Sequence, residues 1–547
     1  MKKNLIKIKF GTTCLLAGVL LISCAGRKIG DPIPKGNIAI PTTRSIHFNN
    51  QSKLQKDIIS FWAKGKVANW KDGEKIDLKN PRTVLGCLLA GERIPEINAY
   101  LMKQNATGKN GSRWLLNPKG GYDFNAMAFT PVLYLFGNKP ALLYPATKQH
   151  LLDHILTIEG AGFTKKVPNL WFDDSENHIL MAESARYLKN QWLFENGFPL
   201  PKYDNKNNGV EKGLTAFLKE IIDYGVYEFN ADPYLGYTYA SLLNLNEFTT
   251  GPIKEYATQI LDMINWQYAL SSYQFKHFPP YRRRFKDAFS EELYCDYHSV
   301  MLMMWASFYN DSLKIDITRG KHQALWPSML SYRPSDKVME WTLNKPNAYF
   351  VKMGHGYNSC PEIVSGDRSY LLTAGGANQG RPSLIMPKPI VLFLNDSARE
   401  LSQTFHMYGP GKDFMKWNNT GVYEDFACTK GAVRIPDNKK AILVSNDWQL
   451  FSITDSIFLA TYSEKELGLM VIIRAASAKN ALDNILKNNA DKKLLHTQFK
   501  HPNGNLIAYD LGASKYRWVI TKINNTAVDR SFGKWPFFEG NIDAVKK

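Results

Sequence analysis

The spacing of apolar residues changes character once along this chain, near residue 330, and that change limits the fold more than any other feature. Between Gln51 and Trp326 apolar residues recur at i, i+3 and i+4 in Leu54–Val67, Thr83–Met102, His150–Glu159, Asn177–Phe194, Lys212–Tyr227, Pro233–Leu245, Ile253–Ala269 and Leu293–Phe308. That period marks helices with a buried stripe. Polar, Gly- or Pro-bearing breaks separate them, and successive helices on short connections pack antiparallel. No sharp repeat is visible, which disfavours a regular solenoid. From about Lys337 the runs shorten: Ala348–Met353, Tyr370–Thr373, Ile390–Leu394, Ala432–Ile435, Ala441–Val444, Leu450–Ile453, Ser456–Thr461, Met470–Arg474, Leu506–Asp510 and Trp518–Lys522. Short runs divided by turn residues are the mark of an antiparallel β-sandwich. The expected fold class is multidomain, α then β. A curved or closed array of helical hairpins covers 51–330, and the β-sandwich covers 331–547.

The amino terminus reads as an export signal. Lys2, Lys3, Lys7 and Lys9 precede a short apolar run from Phe10 to Ile22, too short and wrongly flanked to span a membrane. Leu21-Ile22-Ser23-Cys24 then resembles a bacterial lipobox. The resemblance implies a signal peptide over 1–23, cleavage before Cys24 and lipid on its thiol and new amino terminus. Several acyl chains make a stable anchor. Ala25 after the cysteine favours the outer membrane of a Gram-negative envelope. Residues 24–50, polar and carrying Gly30-Asp31-Pro32-Ile33-Pro34, are expected to form a tether. Cys87, Cys295, Cys360 and Cys428 are scattered without a CxxC pair, so a zinc knot is not expected and spacing assigns no disulfide.

Charge narrows the partner. The chain has 68 Lys+Arg against 50 Asp+Glu, a formal charge of +18, which falls to +14 once the four leader lysines are set aside. A basic surface suits polyanions: nucleic acid, acidic polysaccharide or anionic membrane. No basic tail and no nucleic-acid-binding motif is present, so nucleic acid is not an expected partner. The 13 Trp, 27 Tyr and 29 Phe exceed what a sparse core needs and suit faces that stack on sugar rings, although core packing is their default role.

Two stretches carry possible chemistry. In Ser175-Glu176-Asn177-His178, the serine is a good N-cap and three polar side chains sit in the first turn of a core-forming helix. Helix starts present free N–H groups and positive potential, which favours anionic ligands. The second stretch is Gly225-Val226-Tyr227-Glu228-Phe229-Asn230-Ala231-Asp232-Pro233-Tyr234, where Pro233 suits the first turn of the next helix. Antiparallel hairpins would place both helix starts on one rim.

An Asn-His at a helix start with a tyrosine some fifty residues later, in a helical half followed by a β half, resembles the alginate-lyase and heparinase II/III-like polysaccharide lyases. The closest pattern is that of bacterial toroid proteins with a Ser/Thr-Glu-Asn-His helix and a later Gly-x-x-Glu-x-Asn/Ser-x-x-Tyr loop, from which Tyr234 departs by one position. Gly421-Val422-Tyr423-Glu424-Asp425-Phe426 carries the likeness more loosely. The resemblance implies an incomplete α/α toroid followed by an antiparallel β-sandwich. It also implies cleavage of a uronic-acid polymer by β-elimination. Asn177 would neutralise the uronate carboxylate, His178 would abstract the C5 proton, and Tyr234 would protonate the leaving oxygen, with Glu228 in the same catalytic group. An imidazole titrates in the range a base needs. Glu176, Tyr227 and Asn230 would contact substrate. No arginine lies in the 225–234 loop, and Arg282, Arg283 and Arg284 are the nearest substitute for the expected cation, against a default of a solvated basic loop.

Two other readings stay open. A toroid-fold glycoside hydrolase would use paired carboxylates such as Glu176 and Glu228. A glycan-binding envelope lipoprotein would have the cleft without the chemistry. No cofactor is expected and no metal ligand set is assigned, although His355 and His406 in the β half can bind a metal or reach the cleft. No nucleophile elbow, HExxH or dinucleotide fingerprint occurs.

Overall fold

The computed structural model describes residues 31–45, 51–66, 80–105, 122–162, 176–282, 290–294, 296–345, 348–355, 362–375, 385–386, 388–409, 421–513, 517–531 and 535–542. Helices fill the first half and antiparallel sheets the second. The helices are α1 (Lys53–Ala63), α2 (Asn80–Ala90), α3 (Ile94–Leu101), α4 (Tyr122–Phe136), α5 (Pro145–His150), α6 (Glu176–Glu195), α7 (Val210–Tyr224), α8 (Tyr234–Phe248), α9 (Gly251–Ser271), α10 (Tyr297–Tyr309), α11 (Lys321–Met329) and α12 (Asp336–Leu343).

Burial sorts these helices by position. α8 is buried at every residue from Leu235 to Asn246, and α10 from His298 to Phe308. A helix covered all round has no solvent face to mark with charge. Its polar groups must then find partners inside. Asn244 donates to the Met127 carbonyl (2.9 Å) and accepts from the Trp326 indole (3.0 Å), tying α8 to α4 and α11. α7, by contrast, buries only one stripe, with Leu214, Phe217, Leu218 and Ile221 inward. α4, α6, α8 and α11 pack in sequence, and α1 packs against α10 and α11, so the first helix meets the last ones.

A short ribbon pairs β1 (Tyr281–Arg282) with β5 (Ile385–Met386). The sheet half holds a seven-stranded sheet, in the order β10 (Val433–Arg434), β7 (Phe405–Met407), β6 (Lys388–Leu394), β4 (Tyr370–Gly375), β3 (Glu362–Gly366), β2 (Tyr349–Met353) and β19 (Glu539–Asn541). A six-stranded sheet has the order β11 (Leu443–Ser445), β12 (Trp448–Ser452), β13 (Ile457–Glu464), β14 (Leu467–Arg474), β9 (Phe426–Thr429) and β8 (Gly421–Tyr423). Beside them lie a four-stranded sheet of β15 (Gln498–Lys500), β16 (Leu506–Tyr509), β17 (Ile520–Ile523) and β18 (Thr526–Ala527), and the helix α13 (Ala478–Asn488). In β4 (Tyr370–Gly375), Tyr370, Leu372 and Ala374 enter a core shared with the six-stranded sheet. Leu371 enters the core shared with the helices. β6 (Lys388–Leu394) divides the same way, with Val391 and Phe393 toward the helices. Strand side chains alternate between faces. A sheet covered on both faces therefore gives strands apolar throughout, which is why these runs lacked clean alternation.

Three features depart from the sequence reading. Thr83–Met102 is two helices, because the chain reverses through Gly91 (φ 70°) and Arg93 (φ 52°), both left-handed. Helix continues past residue 330 as α12, and the seven-stranded sheet begins at β2 (Tyr349–Met353). The junction is fastened by Lys345, whose buried ammonium donates to the carbonyls of Trp341 (2.6 Å) and Ala269, near the ends of α12 and α9. Finally, the described part of the expected tether lies against both halves. Ile33 N–H donates to Asp223 (3.0 Å), Phe537 and Phe538 donate to Pro34 and Lys35, and Arg44 pairs with the Asp262 carboxylate. Proline holds such a stretch extended, so its backbone groups are available for pairing. Cys24 and the leader lie outside the described residues.

Candidate functional site

α6 begins at Glu176, and its first turn holds a polar cluster built from three elements. The Glu176 carboxylate is buried and accepts the backbone N–H groups of Tyr227 and Glu228, both at 2.7 Å, one on each oxygen. It thereby fixes the loop that follows α7 onto the start of α6. Charge-assisted bonds of this kind are short and strong. The loop leaves α7 because Gly225 (φ 78°) takes a conformation that other residues resist. It reaches α8 through a cis Asp232–Pro233 peptide.

Asn177 is fully buried beside Glu176, and His178 is partly exposed. His178 Nδ1 pairs with Oδ2 of Asp123, in the first turn of α4. Phe124 meets His178 edge-on at 5.2 Å and Tyr237 edge-on at 4.7 Å. The starts of α4, α6 and α8 therefore converge on one side of the helical half. Tyr234, half-buried, opens α8 one turn before Tyr237.

A second group closes the loop from the sheet side. The guanidinium of Arg282 lies over the Tyr227 ring, 3.9 Å from its centre, and Arg282 N–H donates to Phe229 (3.4 Å). Asn230, left-handed at φ 50°, donates to Glu362 at 2.6 Å. His355 Nε2 meets the same Glu362 oxygen at 2.8 Å, and its ring stacks on Phe229 at 3.8 Å. Burial alone would raise the Glu362 carboxyl. Its bond to His355, the electrostatic influence of the His355 and His277 imidazoles, and the Asn230 amide outweigh that and hold it below the usual carboxylate range.

Of the expected site residues, the structure ties Glu176 to the backbone of Tyr227 and Glu228 and sets Arg282 on Tyr227. Asn230 instead reaches across to Glu362. Glu228 is buried in the loop. Arg283, Arg284 and Ser175 lie outside the described residues. His355 joins the site, whereas His406 Nδ1 bonds the Thr404 carbonyl within the sheet (3.0 Å). Sequence reasoning missed Asp123 and Glu362. Both are distant in the chain from the residues they meet, and neither sits in a patterned stretch.

The chemistry available at the start of α6 is that of an imidazole oriented by a carboxylate next to a buried amide, and the loop after α7 adds a guanidinium stacked on a phenol ring. A scan against protein-family models finds no match, and no curated protein matches the chain.

Proposed function

We propose that this chain is an exported, lipid-anchored lyase that cleaves a uronic-acid-containing polysaccharide by β-elimination. Its halves are read as an incomplete α/α toroid and an antiparallel β-sandwich. The return of α1 to α10 and α11 supports the toroid, and the core shared by the six- and seven-stranded sheets supports the sandwich. Cys24 would carry the lipid and hold the protein at the cell envelope.

The observation that carries the reading is the His178–Asp123 pair beside Asn177 at the start of α6. With Nδ1 engaged by Asp123, proton abstraction falls to Nε2, and the Asp123 carboxylate stabilises the imidazolium that forms. Asn177 donates to the uronate carboxylate, and Arg282 supplies a cation that stabilises the charge developing there. His178 takes the C5 proton, the C4–O bond breaks as the C4=C5 bond forms, and Tyr234 gives its proton to the departing oxygen. The hydrolase reading is weakened because Glu176 commits both oxygens to backbone N–H groups.

Incubation with a panel of uronic-acid polymers, followed in the ultraviolet band of the unsaturated uronate, tests this. A new chromophore is expected. New reducing ends without a chromophore would replace the lyase with a hydrolase. Binding without either would leave a glycan-binding protein.

A further inference from the structure

Under the junction of the two halves lies a second histidine cluster that takes no part in the proposed elimination. His277 sits in the loop after α9, Asp296 caps α10 and His298 lies in the first turn of α10. One ligand atom from each lies within 4.8 Å of the others, and all three residues are buried.

The hydrogen bonds define what the cluster lacks. The Ser271 hydroxyl stands 2.9 Å from the Gln267 carbonyl and 3.0 Å from His277 Nε2. When its proton goes to the carbonyl, Nε2 carries the imidazole proton and the Nδ1 lone pair faces the Asp296 carboxylate, with which it is paired. In that arrangement a cation, a proton or a metal ion, lies between the two. Asp296 is held in place by Ser299, whose N–H (2.9 Å) and hydroxyl (2.6 Å) both donate to the other carboxylate oxygen, Oδ1. His298, 3% exposed, has no hydrogen-bond partner at either ring nitrogen among the described residues. A buried imidazole with both nitrogens unsatisfied is costly and calls for an explanation.

We propose that His277, Asp296 and His298 bind a divalent transition-metal ion of the zinc type. Two imidazoles and one carboxylate form a donor set suited to zinc and its first-row neighbours. Ligand atoms about 2.1 Å from such an ion stand roughly 3.4 Å apart, so small side-chain rotations complete the site. The ion would replace the proton between Nδ1 and Asp296 and give His298 its missing partner. The Nε2–H bond to Ser271 then becomes the outer-shell contact that metal-bound histidines make with their second nitrogen. Charge also balances, because the Glu362 carboxylate acts on both imidazoles and adds to that of Asp296. Glu362 in turn holds Asn230 and His355, so the ion would brace the loop at the candidate active site from behind.

The test uses the full mature chain, purified without a histidine tag, stripped with a chelator and titrated with Zn(II) or Co(II). About one ion per chain, a rise in Tm and a Co(II) visible spectrum of nitrogen and oxygen ligation are expected. His298→Ala should lose all three. Ser271→Ala should fold normally and weaken affinity about tenfold. Stripped wild-type protein that takes up neither ion and shows no Tm change would assign the contact to a proton and overturn the proposal. Unchanged stoichiometry and Co(II) spectrum in His298→Ala would overturn it as well. These readouts do not depend on the polysaccharide, so they stand apart from any failure of the lyase reading.

Discussion

Among the described residues two histidine–aspartate pairs share one local geometry, Nδ1 of the imidazole against Oδ2 of the carboxylate, and they differ in what surrounds them. His178 and Asp123 join two helix starts, and their side chains are 11% and 8% exposed. His277 and Asp296 lie beneath the junction of the halves at 1% and 6%, with His298 stacked 5.8 Å away. The pairing motif alone does not distinguish the two; access to solvent and a second buried imidazole do. In the proposed lyase the outer pair exchanges a proton with a substrate, and in the proposed metal site the inner pair holds a cation.

The sharpest way to break this contrast is to remove the outer imidazole. His178→Ala should lower turnover by about 10³-fold or more while leaving Tm close to that of the wild type. Asp123→Asn should lower turnover by about 10²-fold, since it leaves the ring in place without its carboxylate. Steady-state kinetics beside thermal melts read both. A collapse of Tm in His178→Ala, with turnover of the folded fraction preserved, would place His178 with the inner pair.

The converse substitution acts on stability. His277→Gln leaves the buried Asp296 carboxylate without its partner and should cost about 3 kcal/mol, read in chemical denaturation. The folded fraction should keep its Michaelis constant. Normal stability with lost turnover would merge the two pairs into one site.

The sequence carried part of this contrast. The helix found at Glu176–Glu195 was legible over Asn177–Phe194 from its apolar spacing, and its polar first turn from the Glu-Asn-His triplet. The division into helices and sheets was legible because period and segment length both change. The partners were not. Asp123 precedes His178 by 55 residues and Glu362 follows Asn230 by 132, and single carboxylates carry no periodic signal across such distances. The hairpin of β8 (Gly421–Tyr423) and β9 (Phe426–Thr429) was missed because each strand is short, and β3 (Glu362–Gly366) because it is buried at every residue and shows no alternation. The helix α13 is strongly amphipathic, but it interrupts a stretch read as strands throughout. The path of residues 31–45 depends on backbone bonds and on single side chains such as Asn37 and Arg44 that meet partners far along the chain, which no periodic pattern encodes.

Glu176 and Glu362 sharpen the contrast from the side of charge. Glu176→Gln keeps the shape but sets an NH2 donor against one of the two backbone N–H groups that the carboxylate accepts, and should cost about 2 kcal/mol. Glu362 adds a pH dependence. Its carboxyl is held below the usual range in the folded state, so between the folded and unfolded pKa values the unfolded chain binds more protons and stability rises with pH. The contribution is complete above the ordinary carboxylate pKa and is lost as pH falls through the folded value. Wild type should therefore exceed Glu362→Gln in Tm at neutral pH, and the difference should shrink on acidification. A difference independent of pH would mean that shape, not charge, holds Asn230 and His355.

The smallest expected effect concerns Arg282, which bridges the two regions. Its guanidinium covers the Tyr227 ring at 3.9 Å, while its N–H reaches Phe229, whose own ring stacks on His355. Arg282→Lys keeps the positive charge but replaces a flat, weakly hydrated group with a compact ammonium. The lost stacking is worth about 1 kcal/mol. If the guanidinium mainly positions the loop, the loss should appear in Tm with little change in kinetics. If it meets the substrate carboxylate as proposed, KM should rise about fivefold at low salt, since 1 kcal/mol is roughly that factor. The bidentate fork, which lysine cannot reproduce, would then be the missing element. The second outcome places Arg282 with the outer pair, facing substrate. The first places it with the inner pair, as part of the frame.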